Sequence, residues 1–223
     1  MTPAFELFRS FAYTRWISRK SLSRSRFEEI QGKAVRRWLE NDLKSVPAFR
    51  NASRMLTDIP KTDKSYLMAN FENFNKAKIS VEMVQAAMAQ DFCIGDLTVG
   101  ASTGTSGNRG YFIISQREKF RWLGAILAKT ISDLLSKKQR IAIILPQGGS
   151  LYQSANRLPQ IDLRLFDLVN GIDCWRKEIE AYNPTIIVAP PKVLRHAVEE
   201  GFRLDPVRVF AAAETLDQID RRI

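Results

Sequence analysis

Apolar residues in the first 90 positions recur at the three- and four-residue spacing that is typical of helices. The stripe nearest the N-terminus is interleaved with basic residues and consists of Phe5, Phe8, Ala12 and Trp16. Stripes of this kind occur on helices that pack against a protein core and on basic helices that lie on a membrane surface. We favour the first alternative and predict that these aromatic side chains pack against the rest of the protein.

Two more helices are predicted in this region. The second runs from Arg26 to Leu43 and ends before Pro47, because proline disfavours helical backbone at the residue before it. The third begins after Thr62 or Asp63. The residues expected on the buried face of the second helix are Phe27, Ile30, Ala34, Val35, Trp38 and Leu39.

Short β-branched runs alternate with helical patterns beyond residue 97. The best-marked helix starts where Ser115 and Glu118 show the S-x-x-E spacing of a capping box, and its apolar stripe runs from Phe120 to Leu134. This alternation predicts an α/β fold with a largely parallel sheet. The predicted strands are Leu97–Ala101, Tyr111–Ser115, Ile141–Leu145, Ile161–Phe166, Thr185–Ala189 and Val207–Ala211. The remaining predicted helices are Asp173–Tyr182, Lys192–Glu200 and a segment from Thr215 onward.

The change from helical spacing to alternating strand and helix patterns predicts two regions of one larger domain. Residues 1–90 form a mostly helical region, and residues 91–223 form an α/β subdomain. A helical pattern that begins after Glu214 still runs at Ile223, with no glycine cap or proline stop. We therefore expect this chain to be the N-terminal part of a longer protein.

Composition narrows the class of protein. The chain has 223 residues, of which 45% are hydrophobic and 26% charged, and these values exclude collagen, coiled coil and wholesale disorder. The net charge is +10, a balance that fits a basic protein surface as well as binding to phosphate, nucleic acid or anionic lipid. Cys93 and Cys174 lack metal-ligand spacing and are expected to be reduced thiols of a cytoplasmic protein.

The most unusual segment is a loop rich in glycine, serine and threonine between the first two predicted strands. Glycine lets backbone N–H groups turn toward a ligand, successive N–H groups form an anion-binding nest, and arginine offers paired donors to phosphate. We therefore predict that the loop binds a polyphosphate. Its residues are Ser102, Thr103, Gly104, Thr105, Ser106, Gly107, Asn108, Arg109 and Gly110.

The composition of the loop suggests two other interpretations. A Walker A loop is excluded because no lysine follows the glycines and the chain returns to a strand at Tyr111. A plain hairpin turn is the structural alternative, but two residues are enough for such a turn. Ordering a longer loop costs conformational entropy that a simple connection does not require, so a binding role is favoured.

At this loop the sequence resembles the adenylate-forming superfamily, whose phosphate-binding signature reads roughly S-S-G-T-T-G-x-P-x-G. Within it, the likeness is to the phenylacetate–coenzyme A ligase and CapK-like branch. Three other stretches resemble the same branch, in the same order along the chain. They are Ile59-Pro60 with Asp63-Lys64, Phe71 and Phe74-Asn75; Pro184 to Pro191; and Ala212-Ala213-Glu214-Thr215-Leu216.

The resemblance implies a two-step reaction. A small carboxylic acid attacks the α-phosphate of ATP, giving an acyl-adenylate and pyrophosphate, and a thiol of coenzyme A or of an acyl carrier protein then takes the acyl group. Mg²⁺ would bridge the phosphates. By position, Ser102 to Gly110 would hold the β- and γ-phosphates, and Ala213 and Glu214 would border the adenine.

The sequence departs from the family pattern in two respects. The loop is one residue shorter than the common signature and lacks its lysine, so Arg109 would supply the positive charge. The aromatic-x-Thr-Glu motif, the ribose-binding Asp and the C-terminal catalytic Lys of the family all lie after the matched region. Catalytic residues are therefore expected beyond Ile223, and we expect this chain alone not to complete the reaction.

A second glycine-rich turn, Gln147 to Ser150, follows another predicted strand. In the resembled family this region lies near the acyl pocket, and Ser150 is equally compatible with a simple helix N-cap. Both interpretations stay open. No His, Cys, Asp or Glu cluster has metal-ligand spacing, so no resident metal site is predicted.

Two other functions stay open beside the ligase. One is a non-catalytic module that binds nucleotides or anions. The other is a basic adaptor that uses residues 1–50, which hold eleven Lys and Arg against five Asp and Glu, on a membrane or on nucleic acid. With the ligase as the leading hypothesis, we expect no nucleic-acid partner and no membrane contact.

Overall fold

The computed structural model describes residues 2–53, 55–102, 110–131, 133–134, 136–145, 156 and 158–222. The chain forms two compact units, Met1–Lys129 and Thr130–Ile223. The sequence pattern changes from helical to alternating strand and helix near residue 90, whereas the contacts between residues divide the chain near residue 130. Unit 1 therefore contains the glycine-rich loop together with the N-terminal helices, and unit 2 contains the parallel sheet.

Unit 1 is mainly helical, and side-chain caps define where several of its helices begin. Ser23, Asp63 and Ser80 accept hydrogen bonds from the backbone N–H three residues later, at 3.2, 2.7 and 3.4 Å. The helices are α1 (Pro3–Ile17), α2 (Arg24–Arg37), α3 (Lys64–Ala69), α4 (Val81–Met88) and α5 (Gln116–Thr130), which ends at the start of unit 2. A π-helical turn, Trp38–Asp42, extends α2, and 3₁₀ turns occupy Leu43–Ser45, Pro47–Phe49, Leu56–Asp58 and Phe71–Phe74.

The capping box predicted for α5 is confirmed. The Ser115 N–H and Oγ donate to Glu118 Oε2 at 2.8 and 2.7 Å, and the Glu118 N–H donates back to Ser115 Oγ at 3.3 Å. Phe120, Leu123 and Leu127 are buried, as the apolar stripe predicts. The N–H groups of Ser115 and Glu118 are thus satisfied by side chains, and this pair of hydrogen bonds fixes where the preceding strand ends.

A three-stranded antiparallel sheet completes unit 1. Its strands, β1 (Cys93–Ile94), β2 (Leu97–Ala101) and β3 (Tyr111–Ser115), lie in the order β1-β2-β3. The bounds of β2 and β3 agree with the prediction. Both strands belong to this small separate sheet and not to the parallel one. α4 and β1 were not predicted from the sequence.

The α1–α5 pair is built on a close contact and a buried charge. A Cβ atom placed on Gly124 of α5 would lie 2.3 Å from the carbonyl oxygen of Leu7, so glycine is required for this approach. Glu6 of α1 is only 2% exposed and accepts hydrogen bonds from Arg9, Arg117 and Arg121 at 2.9, 3.1 and 3.0 Å. Burial raises the pKa of Glu6, but the Arg121 and Arg9 hydrogen bonds and the nearby charges outweigh it, so the net pKa is lowered.

The predicted packing of the aromatic stripe on α1 is wrong. Phe5, Phe8 and Trp16 are 49%, 60% and 38% exposed, and Ala12 is exposed as well. The buried residues of α1 are Glu6, Leu7, Phe11 and Thr14, on the opposite face. Tertiary contacts at Glu6 and Leu7, which the periodicity does not encode, decide which apolar face of the helix is turned inward.

The predicted buried face of the second helix is only partly confirmed. Leu39 is buried and Phe27, Ile30 and Val35 are half-buried, whereas Ala34 and Trp38 are exposed. The α-helical part, Arg24–Arg37, contains no fully buried residue. Charged pairs such as Arg24 with Glu28 (2.7 Å) and Lys33 with Glu29 (2.7 Å) line this helix. Its surface is thus solvated over more of its circumference than its apolar spacing suggests.

Unit 2 is an α/β layer around a four-stranded parallel sheet, and the predicted α/β fold class is confirmed. The strands are β4 (Gln139–Leu145), β5 (Ile161–Asp167), β6 (Ile186–Ala189) and β7 (Arg208–Ala211), in the order β5-β4-β6-β7. All three neighbouring pairs are parallel. The helices are α6 (Arg176–Tyr182) and α7 (Pro191–Glu199), with 3₁₀ turns at Leu168–Asn170, Asp173–Trp175 and Asp220–Arg222.

One core cluster joins the sheet of unit 2 to its helices. Ile179 of α6 is fully buried, and Trp175 packs against Phe166 at 5.5 Å between ring centroids. The Tyr182 hydroxyl donates to the carbonyl oxygen of Asp162 at 2.6 Å, and burial, followed by the charge of Asp162, raises its pKa to about 12. The buried members of the cluster are Ala142, Ile144, Phe166, Trp175, Ile179, Tyr182, Ile187, Ala189 and Val193.

The helix predicted from Thr215 onward is wrong in its extent. Only a 3₁₀ turn, Asp220–Arg222, forms there. Asp217 accepts the N–H groups of Ile219 and Asp220 at 2.9 Å each, a local bonding pattern that competes with a regular helix. In the described part of the chain, no helix is both long enough and apolar enough to cross a bilayer.

Candidate functional site

The glycine-rich loop connects β2 to β3. Two hydrogen bonds close the end of this strand pair, where the loop begins and ends. Ala101 of β2 pairs with Tyr111 of β3, and the next residues out are Ser102 and Gly110. The Ser102 N–H donates to the Gly110 carbonyl oxygen at 2.7 Å, and the Gly110 N–H donates to Ser102 Oγ at 2.9 Å. We call these four groups the loop clasp.

The loop clasp is made by two of the predicted phosphate ligands. The N–H groups of Ser102 and Gly110 are spent on each other, so these two residues anchor the loop. The other predicted phosphate-binding residues lie outside the described residues. They are Thr103, Gly104, Thr105, Ser106, Gly107, Asn108 and Arg109.

An aromatic ring lies directly across the ladder beside the loop clasp. Phe112 of β3 faces Gly100 of β2, and a Cβ atom placed on Gly100 would lie 2.4 Å from the Phe112 ring. Only glycine at residue 100 leaves room for this ring, which covers the backbone of the neighbouring strand. The pairing register that presents the loop is thereby fixed by a side chain as well as by hydrogen bonds.

A lysine that the loop itself lacks lies at the loop clasp. A Cβ atom placed on Gly110 would lie 3.2 Å from Cε and 3.8 Å from Nζ of Lys64, and 3.5 Å from Ser102 Oγ. The Lys64 ammonium group, the Ser102 hydroxyl and the Gly110 backbone therefore meet at one end of the hairpin. Lys64 belongs to a stretch that resembles the ligase family, but no role for it was predicted from the sequence.

Lys64 is held in place by a short helix that packs on the hairpin. It is the first residue of α3, whose N-cap, Asp63, accepts the Tyr66 N–H at 2.7 Å. Leu67 and Met68 of α3 pack against the same cluster as the inward residues of β2 and β3. The buried members of that cluster are Phe71, Ile79, Val84, Ala87 and Val99.

Two amide side chains make this scaffold more rigid. Gln85 of α4 donates to the Tyr111 hydroxyl at 2.8 Å, next to the loop clasp. Asn75 donates to the carbonyl oxygens of Phe71 and Ile79 and accepts the Ile79 N–H, at 2.7, 2.9 and 3.0 Å. The turn between α3 and α4 is therefore closed by one amide side chain. In the sequence, the only sign of this arrangement is the family likeness at Phe74-Asn75.

The chemistry of the hairpin end suits an anion. Lysine is a compact, strongly hydrated positive charge that binds phosphate as a point charge. The Ser102 hydroxyl beside it is a further group of the kind that contacts phosphate oxygens. The lysine at this end of the hairpin thus comes from α3 and not from the loop.

An open cleft of about 570 Å³ lies in unit 1 and is lined in part by Tyr66 of α3 and by Asp63, its N-cap. Phe74 meets Phe49 and Tyr66 edge-on in its wall, with ring centroids 5.5 and 6.0 Å apart. Asn70 and Asn73 also line the cleft, whereas Lys64 and Ser102 do not. The cleft is therefore a separate feature from the hairpin end.

The predicted adenine-site residues lie at the carboxyl edge of the parallel sheet in unit 2. The Ala212 N–H donates to the Ala189 carbonyl oxygen at 2.9 Å, so the chain leaves β7 still paired to β6. Ala213 follows with φ of 69°, a left-handed conformation that is uncommon for a residue with a Cβ atom, and Glu214 is exposed. A strained residue at the end of a strand is a frequent sign of a functional turn.

The order of the strands also marks this edge of the sheet as a place where ligands bind in other parallel sheets. From β4 the chain adds β5 on one side and then crosses back to add β6 on the other. In parallel sheets, ligands bind outside the carboxyl ends of the strands, where the order reverses in this way. Ala213 and Glu214 lie one strand beyond that point. The second glycine-rich turn, Gln147 to Ser150, follows β4 but lies outside the described residues.

Other chemistry is sparse in the described residues. They contain no group of three or more His, Cys, Asp or Glu side chains that could hold a metal ion. Cys93 and Cys174 are exposed free thiols. His196 is half-buried near the end of α7. The hairpin end of unit 1 and the carboxyl edge of the sheet in unit 2 are thus the two candidate sites.

No protein-family model matches the chain, and no curated protein shows a significant sequence match to it. The likeness to the adenylate-forming superfamily therefore rests on the motifs quoted above.

Proposed function

We propose that this chain is the nucleotide-binding N-terminal portion of an ATP-dependent ligase that forms acyl-adenylates. The observation that carries the proposal is the position of Lys64 at the loop clasp, where a phosphate-binding loop needs a positive charge. The glycine-rich hairpin and the family-like segments before and after it support the same function.

In this proposal the hairpin of unit 1 binds the phosphates. The amides and hydroxyls of residues 103–109, with Arg109 and Lys64, bind the β- and γ-phosphates, and the loop clasp holds the ends of the loop. The assignment of Ala213 and Glu214 to the adenine rests on the family resemblance alone. Mg²⁺ would be held mainly by phosphate oxygens and water, as is usual for this ion, and so needs no dedicated cage of carboxylates.

The reaction itself follows from the chemistry of the substrates. A carboxylate oxygen of a small acid attacks the α-phosphorus of ATP, and the bond to pyrophosphate breaks. A thiol of coenzyme A or of an acyl carrier protein then attacks the acyl carbon and releases AMP. The groups described here serve the first step, because they would hold the pyrophosphate that leaves.

The test is calorimetric binding of MgATP and of pyrophosphate to the 223-residue chain and its variants. Lys64→Ala is expected to lower the affinity for both ligands by about tenfold or more, since a charge-assisted hydrogen bond to phosphate is lost. Lys64→Arg keeps the charge and is expected to retain most of the affinity. Arg109→Ala is expected to weaken both ligands as well.

The matched control is Lys33→Ala, which removes an exposed lysine that pairs with Glu29 on α2, away from the hairpin. It is expected to leave both affinities unchanged. Equal losses from Lys64→Ala and Lys33→Ala would indicate only a general charge effect and would contradict the proposal. Binding of neither MgATP nor pyrophosphate by the folded wild-type chain would contradict it as well.

A further inference from the structure

Helix α1 is apolar on two opposite faces, and only one of them is buried. The inward face, with Leu7 and Phe11, packs within unit 1. The outward face carries the stripe of Phe5, Phe8, Ala12 and Trp16, about one turn of helix apart at each step. These exposed side chains require an explanation, because soluble proteins seldom leave a continuous aromatic stripe facing water.

The buried charge of Glu6 determines which face points outward. Glu6 is bonded to Arg117 and Arg121 of α5, and the Ser10 hydroxyl donates to the Arg121 carbonyl oxygen at 2.6 Å. Rolling α1 to bury the aromatic stripe would expose Leu7 and break all three contacts. It would also remove the close fit of Leu7 against Gly124. The outward position of the stripe is therefore fixed by specific contacts.

Positive charge flanks the stripe on both sides and beyond its end. On the helical projection, Arg9 lies at one margin of the stripe and Arg15 at the other. Arg19 follows the helix, and its guanidinium lies 5.5 Å from the centroid of the Trp16 ring. Lys20 comes next and is exposed. Long basic side chains of this kind reach sideways from an apolar face to polar groups at its edge.

We propose that the outward face of α1 docks on the surface of an anionic phospholipid bilayer. Phe5 and Phe8 would enter the boundary between headgroups and acyl chains, and Trp16 would lie at headgroup level, as aromatic residues do at membrane interfaces. Arg15, Arg19 and Lys20 would contact lipid phosphates. The helix lies in the plane of the bilayer in this arrangement and does not cross it.

The shape and charge of the face favour a bilayer over other partners. The stripe is a convex ridge with basic margins, and a planar, negatively charged apolar surface complements both properties at once. A nucleic acid would use the charges but would leave the phenylalanines of the first two turns in water. The inference is independent of nucleotide binding, because it involves no residue of the hairpin.

The experiment measures co-sedimentation of the 223-residue chain with vesicles of phosphatidylcholine, with and without phosphatidylserine. We expect strong binding only to the anionic vesicles, and weaker binding at high salt. Phe8→Ser is expected to lower the partition coefficient by about tenfold or more, because it removes an aromatic side chain that would be buried in the bilayer. The double variant Arg15→Gln/Arg19→Gln is expected to lose about fivefold per charge.

Two controls separate docking from a loss of structure. Phe8→Leu keeps an apolar side chain and should bind nearly as well as the wild type. Val198→Ser removes an exposed apolar side chain from α7, in unit 2, and should change nothing. In addition, brominated lipids should quench Trp16 fluorescence, and Trp16→Phe should abolish that component while the other three tryptophans remain as an internal baseline. Circular dichroism verifies that each variant is folded.

Several results would overturn the proposal. The proposal is wrong if the folded wild-type chain does not bind anionic vesicles. It is also wrong if the wild type and Phe8→Ser bind them equally well. Equal affinity for duplex DNA, unaffected by Phe8→Ser, would assign the charges to nucleic acid. A dimer in sedimentation velocity that dissociates on Phe8→Ser would assign the stripe to a second copy of the chain.

Discussion

The α1–α5 pair of unit 1 and the parallel sheet of unit 2 are both buried, but different interactions hold them. In the pair, a backbone carbonyl approaches Gly124, and a carboxylate, Glu6, is surrounded by arginines. In the sheet, β-branched strands pack against α6 through apolar volume, with Ile179 at the centre. One region depends on the absence of a side chain and on charge, and the other on filling space.

This difference explains why one region is easier to predict than the other. Apolar runs identify β4 and β6 because nearly every residue of these two central strands is covered, whereas β5 and β7 alternate between covered and exposed residues, as strands at the edges of a sheet do. The α1–α5 pair depends on contacts between residues more than a hundred positions apart. A helix with two apolar faces gives no indication of which face is chosen, so the packing of α1 was predicted wrongly.

The largest effect is expected from removing volume in unit 2. Ile179→Ala deletes a fully buried side chain, and should lower the free energy of unfolding by about 2–5 kcal/mol. Ile179→Val, which removes one methylene, should cost about 0.5–1.5 kcal/mol. Urea denaturation followed by Trp175 fluorescence measures both, because Trp175 belongs to the same cluster. Equal effects of the two variants would show that the core is not close-packed at this position.

An intermediate effect is expected from adding volume in unit 1. Gly124→Ala places a Cβ atom against the Leu7 carbonyl oxygen, and overpacking of this kind costs about 1–3 kcal/mol. The higher helix propensity of alanine offsets about 1 kcal/mol of that cost. Thermal unfolding should therefore show a net loss of stability.

Gly32 of α2 provides the matched control, because nothing lies within 4 Å of a Cβ atom placed there. Gly32→Ala should stabilise the chain by about 0.5–1 kcal/mol through helix propensity alone. If both alanine variants were stabilising, the close approach of α1 and α5 would not exist in solution.

The smallest effects are expected from pH, and they should have opposite signs in the two units. The pKa of Glu6 is lowered on folding, so its contribution is complete above the ordinary value of 4.5 and is lost as the pH falls further. The pKa of Tyr182 is raised from 10.0 to about 12, so its contribution is complete below 10.0 and is lost as the pH rises toward 12.

Amide hydrogen exchange at each pH, read by mass spectrometry, separates the two units. Acid should open α1 and α5 first, and base should open α6 and its strands first. Glu6→Gln should remove the acid dependence of α1, and Tyr182→Phe should remove the alkaline dependence of α6. Opening of the same peptides at both extremes would show that these two groups do not control the pH response.

Sequence patterns predicted the α/β class, the six main strands and the capping box of α5. The patterns failed where local hydrogen bonds or distant contacts decide the structure. Asp217 stabilises a turn where a helix was predicted, and the ion pairs of Glu6 bury the face of α1 that was not predicted to be buried. For the candidate site, composition identified the loop between Ser102 and Gly110. The position of Lys64 depends on how α3 packs on the hairpin, which no spacing within the sequence reveals.

The loop clasp has a consequence for how such a protein can diversify. Because Ser102 and Gly110 bond to each other, any seven-residue insert between them inherits the same two anchor points and the same exit direction from the strands. Residues 103–109 can then be exchanged while the strand ladder and the helix that carries Lys64 keep their positions. The hairpin thus combines a constant base with a segment whose sequence is free to vary.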